Sequence, residues 1–234
     1  MIIAQNIYKK IGNKTILNNI NLHIKKGDFV VILGPNGAGK TTLIKILSLL
    51  TLPTSGELMI SQTSAKRVNL EIKRKIGVIS HQTFLYNNLT AYENLDFYGR
   101  LYGVNDLRNR IIEVLKEVGL EFTLNDPVKT FSRGMQQRLA IARAIIHNPD
   151  VLFLDEPYSG LDQHAIDILN KVLLKGLKDK TVFMSTHNFE QGLNNSDRVV
   201  ILNKGRIVNE SKTDDMSLED LKRIYMFHVG GGSQ

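Results

Sequence analysis

FVVILGPNGAGKTTLIKIL, Phe29 to Leu47, sets three glycines and a lysine between one apolar run and another. The spacing of Gly34, Gly39, Lys40 and Thr41 fits G-x-x-x-x-G-K-[ST], in which glycines let backbone N–H groups point inward and cradle anionic phosphates. Phe29 to Leu33 then reads as a buried strand, and Leu43 to Leu47 as part of a helix. Gly34, Pro35, Asn36, Gly37, Ala38, Gly39, Lys40, Thr41 and Thr42 are expected around nucleotide phosphates. Lys40 should reach the β- and γ-phosphates, and Thr41 should ligate magnesium. The fold class this predicts is α/β: a P-loop (RecA-like) core with a mostly parallel sheet, an antiparallel β-subdomain and an inserted α-helical subdomain.

Val151 to Leu154 is a second continuous apolar run and Thr181 to Met184 is nearly one, as expected for parallel strands covered on both faces. Each ends in polar residues, so the carboxyl ends of these strands should meet in one crevice. The run VLFLDEP delivers Asp155 and Glu156 together, and neighbouring carboxylates at a strand end cannot both face one way. Asp155 is expected to hold the metal and Glu156 to polarise the water that attacks the γ-phosphate.

Elsewhere the periodicity changes. Ile20, Leu22 and Ile24 alternate with Asn21, His23 and Lys25, the pattern of a half-buried antiparallel strand. Between Thr90 and Asn148 the pattern is helical, opening on a capping box of Thr90 and Glu93. Leu107, Ile111, Val114, Leu115 and Val118 share a face that Gly119 stops. RVVILNKGRIV predicts a hairpin, and Ser217 caps an amphipathic helix through Leu218, Leu221, Ile224 and Tyr225. The expected organisation is a single unit. Residues 1–82 and 149–211 form the core with its β-subdomain, 83–148 the helical subdomain, 212–229 a C-terminal helix and 230–234 a flexible glycine-rich tail.

Composition narrows the class. With 234 residues, 42% of them apolar, the chain can bury a substantial core. It has no cysteine, which excludes disulfides and thiolate metal sites. No run approaches the roughly 18 apolar residues of a membrane span, and no signal-peptide pattern opens the chain, so a soluble, cytoplasmic protein is expected. The formal charge of +7 is scattered, which suits a solvated surface; no nucleic-acid partner is expected.

FSRGMQQRLAIARA, Phe131 to Ala144, puts a serine and a glycine at the head of a helix just before the Asp155 strand, where backbone N–H groups bind anions. With this element the chain resembles the ATP-binding subunits of ABC transporters, whose signature reads LSGGQ. Ser132, Arg133, Gly134 and Met135 occupy the signature, with Arg133 replacing a glycine and Met135 the glutamine. The resemblance implies that Ser132 and Gly134 contact the γ-phosphate bound to the opposite subunit. It implies that Gln82 senses magnesium and the attacking water, that Ser159 to Asp162 form the D-loop, and that His187 is the switch histidine. It makes Glu156, His187, Gln82 and Lys40 catalytic, and Thr41, Gln82 and Asp155 the metal residues. Ile11 stands where an aromatic residue usually stacks on adenine, so base recognition is expected to be apolar and weak. Tyr8, three residues earlier on an extended strand, is expected to face the other side.

The resemblance further implies ATP and Mg²⁺, and a head-to-tail homodimer or a heterodimer with a similar ATPase. Transmembrane permease subunits would dock a short helix near Gln82 to Leu89, at the cytoplasmic face of the inner (plasma) membrane. HQTFLYNNLTAYENLDFYGRLYGV, His81 to Val104, is similar to exporter subunits, including haem exporters of cytochrome c maturation and multidrug exporters. A soluble, non-transport ABC ATPase such as an iron-sulfur assembly factor is the alternative.

Overall fold

The computed structural model describes residues 1–61, 63–65, 70–80, 82–161, 163–176, 180–194 and 196–230. Asp162 and most of the glycine-rich end, 231–234, lie outside the described residues. The chain opens with β1 (Ile2–Ile11), β2 (Lys14–Ile24), β3 (Phe29–Leu33), α1 (Lys40–Leu47), β4 (Ser55–Ile60), β5 (Thr63–Ser64), α2 (Leu70–Lys73) and β6 (Ile76–Ile79). The helices α3 (Ala91–Tyr102), α4 (Leu107–Glu117) and α5 (Arg133–Ile145) follow. Then come β7 (Val151–Asp155), α6 (Gln163–Gly176), β8 (Thr181–Ser185), α7 (Phe189–Asn194), β9 (Arg198–Asn203), β10 (Arg206–Lys212) and α8 (Leu218–Tyr225).

Two sheets result. The larger has the order β10-β9-β3-β8-β7-β6, parallel except for the antiparallel edge strand β10. The smaller, β2-β1-β4-β5, is antiparallel throughout. Successive residues of the parallel strands face opposite layers, which is why their sequences are continuously apolar. Val30, Ile32, Phe153 and Phe183 join the core shared with α1 and the small sheet. Val31, Leu33, Leu152, Leu154 and Met184 join the core shared with α3, α4 and α5. Each such side chain, removed from water, contributes roughly 1.5–3 kcal/mol.

On β2, Ile20, Leu22 and Ile24 are buried, while Asn21 and His23 are exposed. The capping box is formed: the Glu93 amide donates to Thr90 Oγ1 at 3.1 Å, and the Thr90 amide donates to Glu93 Oε2 at 2.8 Å. Fully buried Asn94 accepts from the Tyr86 amide at 2.8 Å and donates to the Tyr86 and Thr90 carbonyls at 3.0 and 2.9 Å. That amide fastens the loop before α3 to the helix itself. Ile111, Val114, Leu115 and Val118 form the buried stripe of α4, with Leu107 partly covered at its head.

The carboxyl-terminal helix begins later than residue 212, because Lys212 still pairs with Arg198 in the β9–β10 ladder. It starts after Ser217, whose hydroxyl accepts from the Asp220 amide at 3.1 Å. Lys204 and Gly205 make the hairpin turn with φ of 47° and 75°, the doubly positive geometry that matches strand twist. Among the described residues no helix is long and apolar enough to cross a membrane.

Candidate functional site

The loop between β3 and α1 is held from two sides. A Cβ on Gly34 would stand 2.2 Å from the Leu202 carbonyl oxygen of β9, and one on Gly39 would stand 2.8 Å from Leu17 of β2. Gly39, at φ 109°, ends the loop and caps α1 without any side-chain cap bond. The first amides of α1 therefore remain available to an anion, with the helix dipole behind them. Lys40 is buried at the mouth and folds over the loop, donating from Nζ to the Gly34 carbonyl at 2.7 Å and the Pro35 carbonyl at 3.3 Å.

Asp155 ends β7 opposite this helix start, only 3% exposed. Its Oδ1 accepts from the Thr41 hydroxyl at 3.1 Å and from the Ser185 hydroxyl at 2.8 Å. Ser185 is its register partner on β8, so the bond follows from strand pairing. Thr41 and Asp155 thus bring two hard oxygen donors together beside the phosphate loop, a set that fits magnesium, which takes one or two protein oxygens and completes its shell with phosphate and water. Bound there, the ion would supply charge neutralisation between phosphate oxygens.

Glu156 departs at once from Asp155. Its φ of 50° lies in the left-handed region, strained for a residue with a Cβ. Its amide donates to the Ser185 carbonyl at 3.2 Å and to the Ser185 hydroxyl at 3.0 Å, which holds the turn. The side chain then meets His187, with Oε2 at 2.8 Å from Nδ1. Whichever tautomer is present, the ring and the carboxylate orient each other. Ser185, which bonds the Asp155 carboxylate and the Glu156 amide, is absent from the sequence-based site; its one local signal is that it is the polar last residue of an apolar strand.

The remaining predicted residues are more dispersed. Gln82 is exposed beyond β6, where its carbonyl accepts from the Ser80 hydroxyl at 3.0 Å; its side chain makes no hydrogen bond to Thr41 or Asp155. Ser132 caps α5, its hydroxyl accepting from the Met135 amide at 3.2 Å, with Arg133 exposed and Gly134 and Met135 half-buried. None of these four bonds to the phosphate loop of its own chain. The Arg133 guanidinium instead lies over Gly160, 2.9 Å from where a Cβ would stand. Ile11 is 60% exposed at the β1–β2 hairpin. Past Ile7 the β1–β2 ladder carries its extra residues on β2, since Ile7, Lys9, Lys10 and Ile11 pair with Ile20, Leu17, Thr15 and Lys14, so β1 itself has no inserted residue between Tyr8 and Ile11. The expected D-loop residue Asp162 falls outside the described residues.

Comparison with known proteins agrees with this arrangement. A family model described as ABC transporter matches residues 17–159. The chain is 36% identical over 218 residues to the ABC transporter ATP-binding protein NatA of Bacillus subtilis (strain 168), spanning 90% of this chain and 89% of that one. It is 38% identical over 224 residues to the lantibiotic transport ATP-binding protein SrtF of Streptococcus pyogenes, spanning 94% and 95%. Among solved structures, a dimeric post-hydrolysis state of the ATP-binding cassette MJ0796 bound to ADP and Pi is similar with a TM-score of 0.80 at 33% identity, spanning 91% of this chain and 99% of that one.

Proposed function

This chain belongs to the ABC transporter family and is an ATPase of that family, and from that premise we propose that it powers export across a membrane through partner transmembrane subunits. The observation that carries the ATPase chemistry to named residues is the convergence of Lys40, Thr41, Asp155 and the Glu156–His187 pair at the carboxyl ends of β3, β7 and β8. In this reading Lys40 and the α1 amides hold the phosphates, and Thr41 and Asp155 hold magnesium. Glu156 takes the proton of the attacking water, with His187 orienting its carboxylate. Gln82 enters from the loop beyond β6.

We further propose that two cassettes meet head to tail, each bringing Ser132 and Gly134 to the other's γ-phosphate. The dimeric state of the similar MJ0796 cassette supports this arrangement. A short helix of the membrane subunit would rest near Gln82 to Leu89, where Phe84 and Tyr86 are exposed beside Phe97 and Leu101 of α3. That places the chain on the cytoplasmic face of the membrane. The name of SrtF, a lantibiotic transport protein, supports a lantibiotic-like cargo rather than haem, and the choice itself belongs to the membrane subunits.

Reconstitution with the membrane subunits in vesicles tests the proposal. ATP added on the cassette side should drive cargo away from that side, and Lys40→Ala should reduce hydrolysis and transport together, by about a hundredfold or more. Cargo movement toward the cassette side would overturn export. Unchanged turnover in Lys40→Ala would overturn the phosphate site.

A further inference from the structure

Arg143 sits near the far end of α5, 6% exposed, and among the described residues no carboxylate pairs with it. A guanidinium buried without a counter-ion is costly, so what it touches instead is informative. Its Nη2 donates to the Val78 carbonyl at 2.6 Å, near the end of β6. Its carbon lies 5.4 Å from the ring centroids of both Phe84 and Tyr98. Ring faces offset part of the cost of burying the charge. Val78 and Phe84 bracket Gln82 in the chain, so one side chain grips both ends of the segment that carries it.

The segment is held in a conformation it would not choose. Phe84 has a φ of 54°, the left-handed region that a bulky side chain avoids. The Tyr98 hydroxyl donates to the Phe84 carbonyl at 2.5 Å and so fixes the strained peptide to α3. Tyr98 is itself set by Phe97 and Tyr86, at centroid separations of 5.2 and 6.4 Å. Strain of this kind persists only where the surroundings over-determine it.

We propose that Arg143 and Tyr98 are positioning residues for ATP hydrolysis: together they hold the strained backbone at Phe84 and thereby set where Gln82 stands relative to the nucleotide. The proposal rests on the role given to Gln82 above. Because α5 carries Ser132 at one end and Arg143 near the other, any shift of that helix is passed to the Gln82 segment.

The test uses the full chain and steady-state ATPase kinetics. Tyr98→Phe keeps the ring beside Arg143 and removes only the hydroxyl, and it should lower kcat about three- to tenfold, the effect of losing one ordinary hydrogen bond. KM for ATP should stay within about twofold, since the phosphate loop is untouched. In a Gln82→Ala background the same substitution should change kcat by less than about 1.5-fold, because both changes then act through one residue. An effect that multiplies with Gln82→Ala, or an unchanged kcat, would overturn the proposal while leaving the ATPase in place. A wild-type chain without hydrolysis would overturn the function beneath it instead. As a readout independent of turnover, the chain has no cysteine of its own, so Gln82→Cys accepts a single spin label. Tyr98→Phe should make that label more mobile, and an unchanged spectrum would count equally against the proposal.

Discussion

The crevice at the strand ends and the head of α5 both lie at the start of a helix, yet they are built in opposite ways. In the crevice, Lys40 and Asp155 are buried, and Thr41, Ser185, Glu156 and His187 are tied to one another or to main chain. At the head of α5, Ser132 and Arg133 are exposed and, among the described residues, the hydrogen bond made by the Ser132 hydroxyl caps its own helix. The first region ties its side chains to one another within one chain. The second has spent its side chains locally and turns its open surface outward, as half of a composite site would.

Substitution at Glu156 can break that contrast and carries the largest expected effect. Glu156→Gln keeps the size and loses the charge, and loss of a general base costs about 10² to 10⁴ in rate. Lys40, Thr41 and Asp155 should still hold magnesium-ATP, so the variant should elute as a dimer with ATP and as a monomer with ADP. Adding Ser132→Arg should return it to a monomer. Light scattering that finds Glu156→Gln monomeric in saturating magnesium-ATP would mean that the α5 head completes no site across two chains.

A second experiment follows α5 to its other end, where the contrast sharpens. His147 stacks on Tyr102 at 4.1 Å, its Nε2 lies 3.0 Å from the Ile76 carbonyl, and its buried Nδ1 has no partner. Burial, the largest influence, pushes its pKa down from 6.5 to about 4. The folded state therefore favours the neutral ring, and the unfolded chain gains the proton first as pH falls. The stability this ring contributes is intact above about pH 6.5 and is lost as pH drops toward 4, by on the order of 2 kcal/mol at pH 5. Denaturant unfolding of His147→Phe, which keeps the stacking, should show a correspondingly flatter dependence between pH 6.5 and 5. Identical slopes would show that burial at this end of α5 does not hold the ring neutral.

The smallest effect is expected at Ile11, which is exposed in the β1–β2 hairpin while Lys40 and Asp155 are buried. Ile11 offers packing but no ring face, so ATP and GTP should bind with similar affinity. Ile11→Tyr should tighten adenine binding by about 1 to 3 kcal/mol, with the lower figure expected at so open a position. Calorimetry showing no gain would move base recognition to another residue.

What the sequence disclosed was chemistry of short range. The glycine-lysine loop, the Asp155–Glu156 strand end, the Thr90 capping box and the Lys204–Gly205 hairpin each need only neighbouring residues, and each forms as its local pattern dictates. What stayed hidden depends on elements far apart in sequence. Ser185 braces Asp155 only because β7 and β8 pair in that register, and Glu156 meets His187 only after a left-handed turn that no propensity announces. Arg143 shares its helix with Arg133 and Arg138, and nothing in its local sequence marks it for burial. It is buried because α5 lies almost on β6, where a Cβ on Gly77 would stand 2.5 Å from the Ala144 carbonyl.

The antiparallel strand β10 also decides how copies of this molecule are able to meet. Among the described residues it pairs with β9 alone and forms one border of the larger sheet. An open border invites another strand, and chains that must remain dispersed at high concentration discourage it with charge. The sequence of β10, RIVNESK, puts Arg206, Glu210 and Lys212 along a short strand, with a register shift between Ile207 and Asn209. Growth by strand addition at this border, a route to fibrils, is thereby disfavoured.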